Sequence, residues 1–505
     1  MTADFRVANP GLCKFGLVLV ALMQLLDLTI ANVSLPTIAG NLGATTHQAT
    51  WVVTSFTLCN AIALPLTGWL VRRVGEVRLF LVATALFTLT SMLCGISANI
   101  EMLTFFRALQ GFVAGPIAPV TQALMVFLFP VNRRTQAIVL ITLVSVLAPM
   151  FGPIIGGWIT DHYSWPWIFF INVPVGIFAC TLVWNQMRHK PEQMQRVKMD
   201  YTGLVLLALG VGALQLMLDK GNDEDWFDSN FIIAAAIIAT ISMSAFLIWN
   251  LTEKNPIVDL HLFRHRNFRV GTMALALVIG VFMGTLVLLP MWLQTQLHYT
   301  ALLAGLSLAP GGLFPLLLLP LIGKYAHRID LRILMTLGTI ILATTFYTRT
   351  FFNLEVDFAT IAYLQLIQGI GVPLMTISIS AIMISDLKPE EISSGTGLSM
   401  CIRTLASSFF ISISQYLWYH RAILHHAQLA EQFTPGSPGT VEALRLLGQG
   451  NTQLALTRLD LMITGQAYQI SFNEMFLIFS MVLLSCGFLI WFAKPPFERS
   501  AGGKR

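Results

Sequence analysis

Charge is what this chain lacks. Of 505 residues, 30 are Lys or Arg and 25 are Asp or Glu, so 11% carry formal charge. Soluble domains carry about 25%. A water-facing surface cannot be built from so few, which excludes a cytosolic enzyme, a nucleic-acid binder and a disordered chain. Cysteine is also sparse. Six are present, at 13, 59, 94, 180, 401 and 486, all in or beside apolar runs and none in a CxxC pair. A disulfide framework or a zinc site is therefore not expected. The sequence has no GxxxxGK[ST] phosphate loop, which argues against an ATP-driven pump, and no HExxH metalloprotease motif. The first apolar run starts near Phe15, is interrupted by Asp27 and has no A-x-A cleavage site. It reads as a retained span, not a removable signal peptide.

What is present is apolar length, with 55% hydrophobic residues. A spanning helix needs about 20 mostly apolar residues. Fourteen such runs can be counted, at about 15–36, 50–70, 78–98, 102–127, 136–160, 166–186, 201–219, 229–251, 269–293, 300–323, 332–349, 357–384, 395–418 and 472–493. An even count puts both termini on one side. Taking that side as cytoplasmic places 23 of the 30 basic residues there and five (Lys220, Arg349, Arg421, Arg445, Arg458) opposite, with Arg107 and Arg403 inside spans. This is the positive-inside bias. The net charge of +5 then reflects topology, not an anionic partner.

The chain also repeats itself. Pro65, Gly68 and Arg73 follow the second run as Pro320, Gly323 and Arg328 follow the tenth, offset by 255, and Gln110-Gly111 recurs as Gln368-Gly369, offset by 258. Two six-helix halves are expected, 1–200 and 269–505, with a helix pair and linker at 201–268 between them. Parallel six-helix repeats are a transporter architecture that handles substrate between the halves near the midplane.

Four motifs carry a family resemblance. The string Leu26 to Pro36 (LDLTIANVSLP) resembles the first-helix signature of the fourteen-span drug:proton antiporters of the major facilitator superfamily. The segment Gly68 to Gly75 (GWLVRRVG, with Arg72 and Arg73), followed by Arg78, resembles the superfamily's loop motif between helices two and three. Phe106 to Gly111 (FRALQG) resembles its fourth-helix motif, and Ala148 to Gly157, with Gly152, Pro153, Gly156 and Gly157, its fifth-helix antiporter motif. From the first span to the closing Trp491 to Phe497, the chain is similar to EmrB-type inner-membrane subunits of tripartite efflux pumps. The resemblance implies an all-α polytopic major facilitator fold with fourteen transmembrane helices (6+2+6). It implies a proton-driven exporter of hydrophobic or amphipathic drugs, not an enzyme, with no cofactor and no metal. It places the chain in a bacterial inner membrane with both termini cytoplasmic, beside membrane lipid, an EmrA-type periplasmic adaptor and a TolC-type outer-membrane channel. The rival on the same scaffold is a proton-coupled importer of a small organic solute. The Gly152-Pro153 motif and the extra helix pair favour export. One departure stands out: the family has Asp where this loop has Arg72, leaving Glu76 or an anionic headgroup as the loop's carboxylate partner.

Three charges lie deep in apolar runs: Asp27, Arg107 and Arg403. Such residues usually face a cavity or a partner, since a charge at a helix centre costs at least about 2.5–3.5 kcal/mol. Asp27 is the proton-carrier candidate. Its alternative role is a hydrogen-bonded lock between helices. Asp27→Asn is expected to fold and to lose proton-coupled export. Arg107 cannot give up its proton, so its expected role is to hold a nearby carboxylate ionised and release it when the helices rock. Gly152, Pro153, Gly156 and Gly157 permit a kinked, closely packed fifth helix. The substrate cavity is expected between the first and fourth helices of each half, with Asn32, Gln110, Phe282, Met291, Gln365, Gln368 and Arg403 as candidate lining residues. With 34 Phe and 21 Met, the chain can form a soft pocket that repacks around varied molecules. The stretch 419–471 reads as a helix-turn-helix hairpin outside the cytoplasm, either a surface feature or the adaptor's dock.

Overall fold

Hydrocarbon offers no hydrogen-bond partner, so apolar runs of this length satisfy their backbones internally as helices. In the computed structural model all regular structure among the described residues is helical. The described residues are 9–495 except 45, 131–132, 193, 195–199, 254–255, 300, 316, 319–320, 322–328, 434–437 and 449–450. The first group of helices is α1 (Pro10–Asn41), α2 (Thr46–Ala63), α3 (Thr67–Val74), α4 (Glu76–Gly95), α5 (Ile100–Ala114), α6 (Ile117–Phe127), α7 (Arg134–His162), α8 (Trp167–Phe170) and α9 (Asn172–Met187). A pair follows, α10 (Tyr201–Lys220) and α11 (Asn230–Thr252). The last group is α12 (Arg266–Thr295), α13 (Ala301–Leu308), α14 (Leu331–Arg349), α15 (Phe358–Ser385), α16 (Ile392–Ala430), α17 (Pro438–Gly448) and α18 (Thr452–Leu489).

Starts and breaks follow local chemistry. Asn9, Asn99, Asp200 and Asn451 accept hydrogen bonds from the first-turn amides of α1, α5, α10 and α18. Pro65 sits in a 3-10 segment between α2 and α3, and Pro116 immediately precedes α6, both places where a missing amide and a fixed φ interrupt a helix.

Twelve helices among the described residues are long and apolar enough to span a membrane. They match twelve of the expected runs. The fifth run falls on α7, which is 29 residues long but has only Gln136–Ser145 as a described apolar stretch. The tenth begins with α13, and its repeat residues Pro320, Gly323 and Arg328 lie outside the described residues.

Within the first group, α1 packs on α7 and α9, α5 on α2 and α4, and α4 on α9. Within the last, α12 packs on α15 and α16, and α14 and α16 each pack on α18. The groups meet where α16 lies on α3 and α6, and where α15 lies on α7. The α10–α11 pair reaches both groups, through α10 against α2 and α16.

The stretch 419–471 continues the helices on either side of it. Its first helix is the end of α16, which runs unbroken for 39 residues, and its last is the start of α18, 38 residues long. Nothing in YHRAILHHAQLA breaks a helix, so the span continues past its apolar part. Arg421 and His425 on α16 both bond Glu474 on α18, Arg421 Nη2 at 2.8 Å and His425 Nε2 at 3.1 Å.

Candidate functional site

Asp27 and Arg107, 80 residues apart in sequence, form a buried ion pair between α1 and α5. Arg107 Nη1 donates to Asp27 Oδ2 at 2.6 Å, and neither side chain is more than 1% exposed. Two further donors complete the carboxylate: Asn172 Nδ2 at 2.7 Å and Gln110 Nε2 at 3.2 Å, both to Oδ1. Asn172 also donates to Ser91 Oγ at 2.9 Å. Arg107 takes Gln110 Oε1 at 2.8 Å and the Val52 carbonyl at 3.2 Å, and its guanidinium lies 4.3 Å from the Phe56 ring centre. The two side chains satisfy each other's hydrogen bonds away from water. One proton arriving at Asp27 would cancel the pair and leave Arg107 with neutral acceptors only.

The glycine motif on α7 presses directly on this part of α1. A Cβ at Gly152 would lie 1.9 Å from Thr29 Oγ1, two residues from Asp27, and one at Gly156 would lie 3.1 Å from the Ile30 carbonyl oxygen. Any larger residue at 152 would push α7 off α1. Gly157 is partly exposed. The side chains of Pro153 and Asn32 lie outside the described set.

A cavity of about 140 Å³ opens between the two groups. Gln122 of α6 and Ile138, Thr142 and Ser145 of α7 line it from one side. Phe282 and Met283 of α12, Thr376 of α15 and Arg403 of α16 line it from the other. Of the expected lining residues, Phe282 and Arg403 are there. Arg403 is half-buried, and its Nε has no hydrogen-bond partner among the described residues. Gln110 does not line the cavity because it is bonded into the Asp27–Arg107 pair. Gln368 accepts from Arg349 Nη2 at 2.7 Å, Gln365 is buried on α15, and Met291 is 40% exposed on α12. No lining residue comes from α1, and α7 supplies a wall instead.

Arg349, one of the five basic residues set on the opposite side, is wholly buried at the end of α14, its guanidinium 5.3 Å from the ring centres of both Phe346 and Phe476.

The loop motif joins the two groups at the face where α1 begins. Gly68 lets α3 touch α16, since a Cβ there would sit 2.1 Å from Ser394 Oγ. Glu76 binds Lys190 Nζ at 2.8 Å and accepts from Ser393 Oγ at 2.9 Å. Gly75 ends α3, Arg78 lies 3.6 Å from Glu192, and Arg73 lies over the Trp69 ring. Arg72 Nε has no hydrogen-bond partner among the described residues. Glu76 therefore ties the loop to α16 and to the end of α9.

Sequence reasoning missed Asn172 and Ser91 as partners of Asp27, and Gln122, Thr142, Ser145 and Thr376 in the cavity. The available signal was weak: a neutral polar residue inside an apolar run.

Two packed helix groups, a charged pair sealed inside one and a cavity between them are the architecture of a membrane transporter. The chain belongs to the Major Facilitator Superfamily, whose family model matches residues 17–411. It is a multi-pass membrane transporter, not an enzyme. It is 45% identical over 490 residues to the multidrug export protein EmrB of Haemophilus influenzae, covering 96% of each chain. It is 44% identical to EmrB of Escherichia coli K12, over 98% of each, and 44% identical to the fatty acid resistance protein FarB of Neisseria gonorrhoeae, over 96% of each. Among solved structures, the human organic anion transporter MFSD10 superposes with a TM-score of 0.60 over 95% of this chain and 99% of that one, at 12% identity. That likeness concerns the fold alone.

Proposed function

We propose that this protein is a proton-driven antiporter exporting hydrophobic and amphipathic drugs across a bacterial inner membrane, with both termini in the cytoplasm. In this reading residues 1–200 and 269–505 rock against each other, with 201–268 inserted, across fourteen spans. Similarity to proteins named for multidrug export supports the cargo. The observation that carries the mechanism is the sealed Asp27–Arg107 pair and its contact with α7. Protonation of Asp27 loosens α1 from α5. The shift reaches α7 through Thr29 and Ile30 against Gly152 and Gly156, and α7 is a wall of the cavity. At 140 Å³ the cavity is smaller than the roughly 300–1,000 Å³ of a drug site, so it must enlarge to take cargo. The Glu76 and Gly68 contacts close the cytoplasmic face. The membrane potential supplies about 2.3 kcal/mol per charge per 100 mV, roughly a 50-fold gradient.

Arg403 refines the cargo. It gives the cavity a cation, which favours amphipaths with an acidic head, and one relative is named for fatty acid resistance. Arg403→Gln is expected to weaken export of acidic amphipaths more than of neutral or cationic ones. Equal losses for all would refute this role.

An EmrA-type adaptor and a TolC-type channel complete the path outward, and the membrane-distal ends of α16 and α18 with α17 are the proposed dock. Deleting 430–465 is expected to stop export through the full pump. Intact export would rule out docking there. Proteoliposomes with an internal pH dye test the antiport itself. Addition of drug should trigger opposite proton movement. Movement in the same direction as the drug identifies an importer, and none with any hydrophobic compound refutes proton coupling.

A further inference from the structure

The helix pair with no counterpart in the repeat does more than fill space. At the face away from the start of α1, α10 is bonded to both groups at once. Thr57 Oγ1 of α2 donates to Asp219 Oδ2 at 3.2 Å, and Lys220 Nζ lies 5.2 Å from the Trp51 ring centre. Toward α16, Gln215 Nε2 donates to Ser408 Oγ at 2.7 Å, and Ser412 Oγ donates to the Leu218 carbonyl at 2.7 Å. One turn on, Asn222 Nδ2 donates to the Ser412 carbonyl at 3.1 Å, and Trp226 rests edge-on against Tyr416.

Gln215 is the hinge pin, because the same Nε2 also donates to Asp219 Oδ1 at 2.9 Å. Asp219 is thus a half-buried carboxylate whose hydrogen-bond donors, among the described residues, are both neutral. This differs from Asp27, which has a guanidinium. We propose that Asp219 is a second proton-linked positioning residue: its charged form holds α2 and α16 together through α10, and its protonation opens the far face. The charged form accepts from Thr57 and Gln215 together. A proton on either oxygen removes an acceptor and adds a competing donor, so the clasp loosens on the side that faces the acidic compartment. Groups that bias this step are few. Lys220 and Asp223, paired with each other at 3.1 Å, act on Asp219 from α10's own end. The packed helix α11 has no charged residue, α2 has His47 and Cys59 as its titratable residues, and the part of α16 flanking Ser408 has Cys401, Arg403, Tyr416, Tyr419 and His420.

This rests on the antiport reading for its direction, but its test does not depend on transport. Spin labels replace Gln48 on α2 and Tyr419 on α16 in a full-length, otherwise cysteine-free chain in nanodiscs. Their separation is measured by double electron–electron resonance from pH 5 to pH 9. Wild type should shift from the short to the long distance as pH falls. Asp219→Asn should hold the long distance throughout. Thr57→Val, which removes one donor to the charged form, should move the midpoint upward by about one pH unit. Asp27→Asn should keep the distance response while losing drug-triggered proton movement in liposomes. If Asp219→Asn responds to pH as wild type does, or Thr57→Val leaves the midpoint in place, the clasp is overturned. If antiport is absent in liposomes but Asp219→Asn still abolishes the distance response, the clasp stands and the export reading falls.

Discussion

Removing either charge of the Asp27–Arg107 pair should cost more than removing both in sequence would suggest. Asp27→Asn leaves a guanidinium that is 0% exposed with Gln110 and the Val52 carbonyl as acceptors. Arg107→Gln leaves a carboxylate with Asn172 and Gln110 as neutral donors. Breaking a buried pair from one side costs about 3–5 kcal/mol. The amide introduced by Asp27→Asn still offers one oxygen to Arg107, which places that variant near the lower figure. The double variant strands no charge, so its cost should fall short of the sum by about 1–3 kcal/mol. The assay is a double-mutant cycle on denaturant or thermal unfolding of the purified chain in one detergent. Additivity within about 0.5 kcal/mol would show that the two charges do not depend on each other, and the coupling mechanism would fail with them. From the sequence alone Asp27→Asn is expected to fold, and the pair now attaches a stability loss to that variant. Transport separates stability from coupling: the double variant, though less destabilised than the two single losses summed, should show no drug-triggered proton movement, because no carboxylate remains.

Gly152→Ala should impair transport, since its Cβ would meet Thr29 Oγ1 at 1.9 Å, and overpacking of this kind costs about 1–3 kcal/mol. Adding Thr29→Gly removes the clashing hydroxyl and should restore drug resistance in growing cells, whereas a double variant no better than Gly152→Ala would mean the contact is not what Gly152 serves. Glu76→Gln should lose the Lys190 ion pair yet keep an oxygen for Ser393. The pair is partly exposed, so stability should change by less than about 1 kcal/mol, while a thiol-reactive probe applied from the cytoplasmic side should reach a cysteine placed at Ser393 faster. Unchanged labelling would show that Glu76 does not close that face.

How far the sequence could be read depends on which forces act locally. The spanning helices were legible because a backbone in hydrocarbon has one solution, and Asp27 and Arg107 because charge in an apolar run is costly wherever it falls. That the two meet was not legible: α1 and α5 are brought together by the handedness of the bundle, and no spacing along the chain encodes it. Asn172 was silent for a related reason, since a neutral amide at the start of α9 costs little to bury once paired and so leaves no mark on hydropathy. The burial of Arg349 was not legible, because counting charges by side treats a helix end as wet, whereas Phe346 and Phe476 cover its guanidinium. The cavity was half-legible. Repeat logic assigns its walls to the first and fourth helices of each half, but that logic ignores what those side chains do to one another. Asp27 of α1 turns to Arg107 and Gln110 inside the first group, and α7, close against α1 at Gly152 and Gly156, lines the cavity instead. In the proposed mechanism Asp27 lies on the helix that α7 packs against, so coupling between proton and drug would need no direct contact between them.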